Sequence, residues 1–370
     1  MYEFRRPHVF VLAALLAAAA ACGGNDGPLT PANRAQIDAI VEQQMQAEGL
    51  PGVVVGVWVG NERYVGVRGL ADTATGRARA ADDPFRIASI SKTFIGTATL
   101  ILVDRGLLSK ADTLDKWYPA FPNASRITVE HLLRMRSGIA DSADAAFIAE
   151  YWANPLIDLD AEAMIARSAA RGAEFIEPDT VTHYTNVNFV LLERIVEKAS
   201  GTDIRNFLRA NVFEPLGLRS TSYPSGSSLP GALRGYSLDG GVFVDRTVLN
   251  PLPAGGAGAV ISSLENLKTY GRALCRGDLL KPATQAARLQ PTPLANEPAF
   301  VGYGEGLGRL GRFCGHNGTI FGFSSEVWYL PEKDATIVMN VNRLDRDDET
   351  KSFETFALIA RELFPDLVAW

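Results

Sequence analysis

Cysteine and histidine are scarce in this chain, three of one and four of the other among 370 residues, and they nowhere gather at metal-ligand spacing. Zinc chemistry is left without a ligand set, and no cofactor is expected. Clusters of positive charge are missing beyond the N-terminus, and the net charge of -6 argues against nucleic acid as a partner. The apolar run from Val9 to Ala21, thirteen residues, is too short to cross a bilayer. No serine carries glycine at both the −2 and +2 positions, so the α/β-hydrolase nucleophile elbow is absent. No internal repeat is visible. What remains is an ordinary globular balance, 47% hydrophobic and 21% charged, with ample length for a sizeable core.

Arg5 and Arg6 precede the short apolar run, and Cys22 follows it, opening Gly23-Gly24-Asn25-Asp26-Gly27-Pro28. This order suits a secretory signal over 1–21 and export to the periplasm or cell surface. Ala19-Ala20-Ala21 before Cys22 resembles a bacterial lipoprotein cleavage site, with acylated Cys22 then the attachment to a membrane. Ala19 stands where leucine is usual, which leaves ordinary signal cleavage open. Residues 22–31 then read as a tether, and 32–370 as the folded domain. Setting Cys22 aside leaves Cys275 and Cys314, an even pair in an oxidising compartment. A disulfide and two buried free thiols are both open.

Thr30-Pro31 begins a capped helix to about Glu48, and Gly52–Val59 turns at Gly60-Asn61 into Arg63–Arg68 as a hairpin. From about 110 to 250 the pattern is helical, as in Val129–Met135 and Phe189–Lys198, with an exposed loop at Tyr223–Pro230. A helix is predicted over Ala259–Leu274, capped by Ser262 or Ser263. Strands are predicted over Tyr303–Leu310, Arg312–His316, Ser324–Leu330 and Thr336–Asn342, and a last helix over Lys351–Leu363. Strands at both ends with helices between predict one antiparallel sheet closed by both termini, plus a helical insertion. A site is expected where the two parts meet.

Ser89-Ile90-Ser91-Lys92 contains the only Ser-x-x-Lys of the chain and runs into Thr93–Val103, which holds no charge. If a helix starts at Ser89, the i, i+3 spacing sets hydroxyl and ammonium side by side, and the Ser89 N–H is an unpaired donor at its N-terminus. A helix apolar all round is buried, with Gly106 a plausible C-cap. Lys92 then sits at the mouth of a dry core, where desolvation lowers its pKa and makes it a proton acceptor for a neighbouring hydroxyl. An N-capping serine followed by a surface lysine gives the same spacing.

His183-Tyr184-Thr185-Asn186 presents a phenol that can relay a proton and an amide that can grip a substrate amide. His316-Asn317-Gly318 ends a strand, where glycine lets a ligand approach, and the next N–H, on Thr319, could pair with that of Ser89 as an oxyanion hole. Ser89-x-x-Lys92, Tyr184-x-Asn186 and His316-x-Gly318, separated by 95 and 132 residues, resemble the three motifs of the penicillin-recognising serine hydrolases. The resemblance is to the branch that holds secreted D-alanyl-D-alanine carboxypeptidases, class C β-lactamases and β-lactamase-like esterases. It continues through Ile127–Gly138, Glu214-Pro215-Leu216-Gly217-Leu218 and Gly258–Leu274.

That resemblance implies an α/β fold of the β-lactamase/transpeptidase type, an antiparallel sheet flanked by helices with an all-helical subdomain. It makes Ser89 the nucleophile of an acyl-enzyme and gives the proton traffic to Lys92 and Tyr184, leaving open which is the base. Asn186 would orient the substrate amide, and Ser89 and Thr319 would supply the oxyanion N–H groups. Class C β-lactamases carry Lys-Thr-Gly where this chain has His316-Asn317-Gly318, so efficient β-lactamase activity is not expected. Arg309 could bind a terminal carboxylate, against the reading of a solvated hairpin arginine like Arg312. His131 reads as packing or capping, His183 as shaping the turn before Tyr184, and Ser91 as structural. Tyr151 and Trp152 could line the cleft or serve as ordinary core. Three functions follow: a D-alanyl-D-alanine carboxypeptidase-type peptidase acting on peptidoglycan stems, an esterase for short acyl esters, and a non-catalytic penicillin-binding sensor. The intact motif set disfavours the third, and export with possible membrane tethering favours the first over the second.

Overall fold

Valine at alternate positions of β1 (Gly52–Val59) faces one helical layer, and the residues between face another. Val53, Val55 and Val57 pack with Ile37, Val41, Phe356 and Ile359, while Val54 and Trp58 join the larger cluster on the opposite side. A strand covered on both faces has no solvent side, so its sequence reads as a continuous apolar run. The computed structural model describes residues 27–346, 351–368 and 370. The predicted signal and Cys22 lie outside the described residues.

The chain runs from α1 (Pro31–Glu48) into β1, β2 (Glu62–Asp72), β3 (Arg77–Ala78) and β4 (Phe85–Arg86), then α2 (Ser91–Asp104). The helical part follows: α3 (Val129–Leu133), α4 (Ala145–Ala153), α5 (Ala161–Ala170), α6 (Val187–Ser200) and α7 (Ile204–Leu208). Next come β5 (Tyr236–Asp239), β6 (Val242–Asp245), β7 (Ile261–Ser262), α8 (Leu264–Arg276) and α9 (Pro282–Arg288). The chain returns through β8 (Thr292–Pro293), β9 (Val301–Tyr303), β10 (Gly308–Leu310), β11 (Phe313–Ile320), β12 (Phe323–Leu330), β13 (Ala335–Val341) and α10 (Lys351–Leu363). Among the described residues the main sheet has the order β3-β2-β1-β13-β12-β11-β10-β9-β8. Every pairing in it is antiparallel. The pairing of β1 with β13, Val55 opposite Met339, joins the two ends of the sequence as expected.

Thr30 caps α1 by accepting from the Asn33 N–H, with Pro31 in the first turn. The packed body begins before residue 32: Leu29 is buried and its N–H donates to Glu62. The hairpin β5–β6 inside the helical part has no counterpart in the sequence reading. Ile261–Ser262 is the strand β7 paired with β4, so α8 starts five residues later than predicted, after Ser263, whose side chain makes no capping bond. The strand predicted over Tyr303–Leu310 is broken into β9 and β10. Helix α2 lies against the break: a Cβ on Gly96 would stand 2.9 Å from Gly306 Cα, and Gly306 is left-handed. Two backbones meet there because neither residue has a side chain.

Candidate active site

The helix that carries Lys92 begins at Ser91, two residues later than the spacing predicts, and Ser89 sits in the 3-10 turn Ala88–Ile90 that leads into it. Residues from Ser91 to Leu102 are all buried. The threonine hydroxyls of this dry helix turn back on its own backbone: Thr93 to Ile90 O, Thr97 to Thr93 O and Thr99 to Ile95 O. Gly106 follows the helix in the left-handed conformation, its N–H bonded to Val103 O, as a terminating glycine does. Ser91 is structural, its Oγ accepting from the Val260 N–H.

Ala88 holds a φ of 48°, strained for a residue with a side chain. Its neighbours enforce that strain. The Ile87 N–H bonds to Val260 O, and β11 presses on the turn at Gly318. Glycine at 318 is expected, from the sequence, to admit a ligand to the strand edge. In the structure its bare Cα admits the turn that carries Ser89. Thr319 follows it, and β10 ends its pairing with β11 at Gly308–Gly315, before the segment from His316 to Ile320.

Lys92 Nζ lies 2.9 Å from Ser89 Oγ, 2.8 Å from Asn186 Oδ1 and 2.9 Å from Ala257 O. Three acceptors match the three protons of an ammonium. Burial nonetheless pushes this lysine down to about 7, against an opposing pull from Asp141. Near neutral pH a large share of it is therefore free amine, which can take the hydroxyl proton of Ser89. Tyr184 completes the cluster, with Nζ 4.9 Å from its ring centroid.

His316 is buried, and desolvation followed by the nearby Lys92 charge lowers it to about 3, so its imidazole is neutral. Nδ1 lies 2.5 Å from Asn317 O and Nε2 lies 3.4 Å from Tyr303 Oη. A carbonyl can only accept, which places the proton on Nδ1 and leaves Nε2 to accept from Tyr303. The three rings of Tyr184, Tyr303 and His316 meet at centroid separations between 5.7 and 6.1 Å.

Ser89, Lys92, Tyr184, Asn186 and His316 thus converge, with Gly318 and Thr319 beside them. Asn186 is occupied within the protein: Oδ1 accepts from Lys92 and Nδ2 donates to Asp141 at 2.8 Å. Arg309 stands apart from this network; its Nε–H donates to Gly311 O within its own hairpin. His131 forms a capping box with Thr128, and His183 Nδ1 lies near Thr185 Oγ1. Tyr151 and Trp152 pack on Phe321 in a satellite core. The Cys275–Cys314 disulfide is formed and ties α8 to β11 two residues before His316.

Asp141, the Ala257 carbonyl and Tyr303 were missed by sequence reasoning. The run Gly255-Gly256-Ala257-Gly258 carried a signal, since consecutive small residues mark close backbone approach. A Cβ on Gly256 would stand 2.6 Å from Phe189 O. Asp141 and Tyr303 carried none.

The family model described as beta-lactamase matches residues 37–360 of the chain. The chain belongs to the beta-lactamase family. Penicillin-binding protein 4* of Bacillus subtilis is 25% identical over 336 residues, covering 85% of this chain and 73% of that protein. Esterase EstB of Burkholderia gladioli is 29% identical over 204 residues, 52% of each. A D-stereospecific amidohydrolase from Streptomyces sp. superposes with a TM-score of 0.77 at 29% identity, covering 90% of this chain and 98% of the other. The D-amino acid amidase of Ochrobactrum anthropi SV3 shares the fold, with a TM-score of 0.80 at 24% identity and coverage of 90% and 99%. This beta-lactamase family member is a serine hydrolase with the expected sheet and helical parts.

Proposed function

We propose that this family member hydrolyses amide bonds whose acyl side is a D-amino acid residue, with D-alanyl-D-alanine-ended peptides of the peptidoglycan type as its first substrate class. The observation that carries the reading is half-buried Ser89 bonded to buried Lys92 beside a neutral His316, where class C β-lactamases have a lysine. Ser89 Oγ attacks the carbonyl carbon while its proton passes to Lys92 Nζ. The proton then reaches the leaving amine through Lys92 and Tyr184, and water releases the acyl group from Ser89. The N–H groups of Ser89 and Thr319 receive the oxyanion. The name of one similar protein, a D-stereospecific amidohydrolase, agrees with an acyl donor of D configuration.

Export belongs to the same reading. The Arg5-Arg6 leader and Cys22 would deliver the enzyme to the cell wall, and the Cys275–Cys314 disulfide suits an oxidising compartment. A short acyl ester is the second reading, favoured by the similarity to an esterase.

The test is hydrolysis of a D-Ala-D-Ala peptide, its L,L counterpart and p-nitrophenyl acetate, with Ser89→Ala as control. Turnover of the D,D peptide alone among the peptides, abolished in Ser89→Ala, supports the proposal. Brisk ester cleavage without peptide turnover replaces it with the esterase reading, and turnover retained in Ser89→Ala removes Ser89 as nucleophile.

A further inference from the structure

Asp141 lies on the loop between α3 and α4; its carboxylate accepts from the Ala143 N–H of its own loop at 3.3 Å and otherwise faces the start of α6. Oδ2 accepts from Asn186 Nδ2 at 2.8 Å and from the Asn186 backbone N–H at 3.1 Å, while Oδ1 accepts from the Val187 N–H at 3.2 Å. Asn186 is the N-cap residue of α6, yet its own side chain caps nothing. The loop is itself anchored: Ser168 Oγ donates to Ala140 O, Arg171 Nη1 donates to Asp141 O, and Ser137 Oγ donates to Asn188 Oδ1. The carboxylate therefore stands on a rigid support.

An asparagine amide can be turned end for end at little cost in shape, and the two orientations have opposite meaning for a lysine. With Oδ1 inward it accepts from Nζ; with Nδ2 inward it sets donor against donor. A carboxylate only accepts, so it bonds the Nδ2 end and excludes the wrong orientation. We propose that Asp141 is a positioning residue for Lys92, its carboxylate fixing the Asn186 amide with Oδ1 toward the lysine. The chain of contacts runs Asp141, Asn186, Lys92, Ser89, so a group without contact to the nucleophile sets the orientation of its base. The proposal rests on Ser89 and Lys92 being the acylating pair and holds for any acyl donor.

The charge of Asp141 also acts on Lys92, raising its proton affinity against the effect of burial. The other groups around Lys92 are Tyr184 before α6, neutral His316 on β11 with Tyr303 behind it, and Glu193, whose carboxylate lies behind the Gly255–Ala257 turn. None of these supplies the anion that Asp141 supplies.

The experiment titrates Lys92 through its ¹³Cε signal in lysine-labelled protein, assigned by its loss in Lys92→Met. In parallel, fluorophosphonate labelling of Ser89 is followed against pH. In Asp141→Asn the Lys92 midpoint and the acid limb of labelling should move down together by on the order of 1 pH unit. In Asp141→Ala, where the amide is also released, the labelling plateau should fall about 10²-fold. An unmoved midpoint with an unchanged plateau overturns the proposal, and so does a lowered melting temperature alone, which would make Asp141 a cap for α6 and nothing more. If Asp141→Ala does not fold, the Asp141→Asn titration decides. Failure of the D,D-peptide reading would appear as absent peptide turnover in the unmodified enzyme and leaves the Lys92 titration intact as a measure.

Discussion

A Cβ on Gly318 would stand 2.9 Å from the backbone nitrogen of Ser89 and 2.3 Å from the carbonyl oxygen of Ile87. The strand and the nucleophile turn therefore share one backbone-to-backbone contact, and the strained Ala88 is held from that side. Gly318→Ala should fold with a loss of about 1–3 kcal/mol, the ordinary cost of overpacking. Its acylation rate should fall about 10²-fold, because displacement of the Ser89 N–H misplaces both nucleophile and oxyanion donor. Thermal melting and ester hydrolysis measured together check this; wild-type acylation would remove the contact from the mechanism.

Lys92 should set the acid limb of activity. With its folded-state value near 7, acylation should fall about tenfold per pH unit below about pH 6, as protonation removes the base. The same shift governs stability. The lysine releases its proton near 7 in the folded chain, against the ordinary 10.5. The unfolded chain therefore holds the extra proton between these values, and stability rises with pH across that window. Lys92→Met, inactive, should show its most favourable melting temperature relative to wild type below pH 7, with the advantage shrinking towards pH 10. Melting curves at three pH values test the sign.

Glu193 supports the turn that presents the Ala257 carbonyl to Lys92. Its carboxyl is buried and raised from 4.5 to about 7, with desolvation the largest cause, while Tyr223 Oη donates to it at 2.8 Å. Here the folded chain keeps a proton that the unfolded chain has lost, so stability falls as pH rises from about 4.5 to about 7. Glu193→Gln keeps an acceptor for Tyr223 and should gain stability over wild type progressively across that window. A difference in melting temperature that is flat with pH contradicts the assignment.

The Cys275–Cys314 disulfide closes 39 residues of separation and pins β11 beside His316. A Cys275→Ser/Cys314→Ser variant should lose about 2–4 kcal/mol, read as a lower urea midpoint. Activity per folded molecule should fall less than tenfold, since the sheet still holds His316 opposite Val327. A larger loss would give the disulfide a direct part in ordering the site.

Local chemistry was legible in the sequence. The apolar run Thr93–Val103, the cap at Thr30-Pro31, the hairpin at Gly60-Asn61 and the closing strands each follow from short-range periodicity and turn residues. Their structures agree with that reading. The Ser89–Lys92 contact belongs to the same class, because residues three apart meet whether the turn that links them is 3-10 or α. Gly304–Leu307, expected within a strand, is interrupted where the distant helix α2 packs against it at Gly306, and Ile261–Ser262, expected within a helix, instead pairs with β4.

By itself the sequence determined that Ser89 and Lys92 would meet and that a buried helix would hold the lysine. Tertiary structure alone decided what surrounds that lysine. The amide orientation of Asn186, the Ala257 carbonyl, the neutral state of His316 and the fit of Gly318 against Ser89 each join residues far apart in the chain. Polar contacts of this kind depend on distances of about 3 Å. No local pattern encodes them, because they are set where separately determined elements pack together.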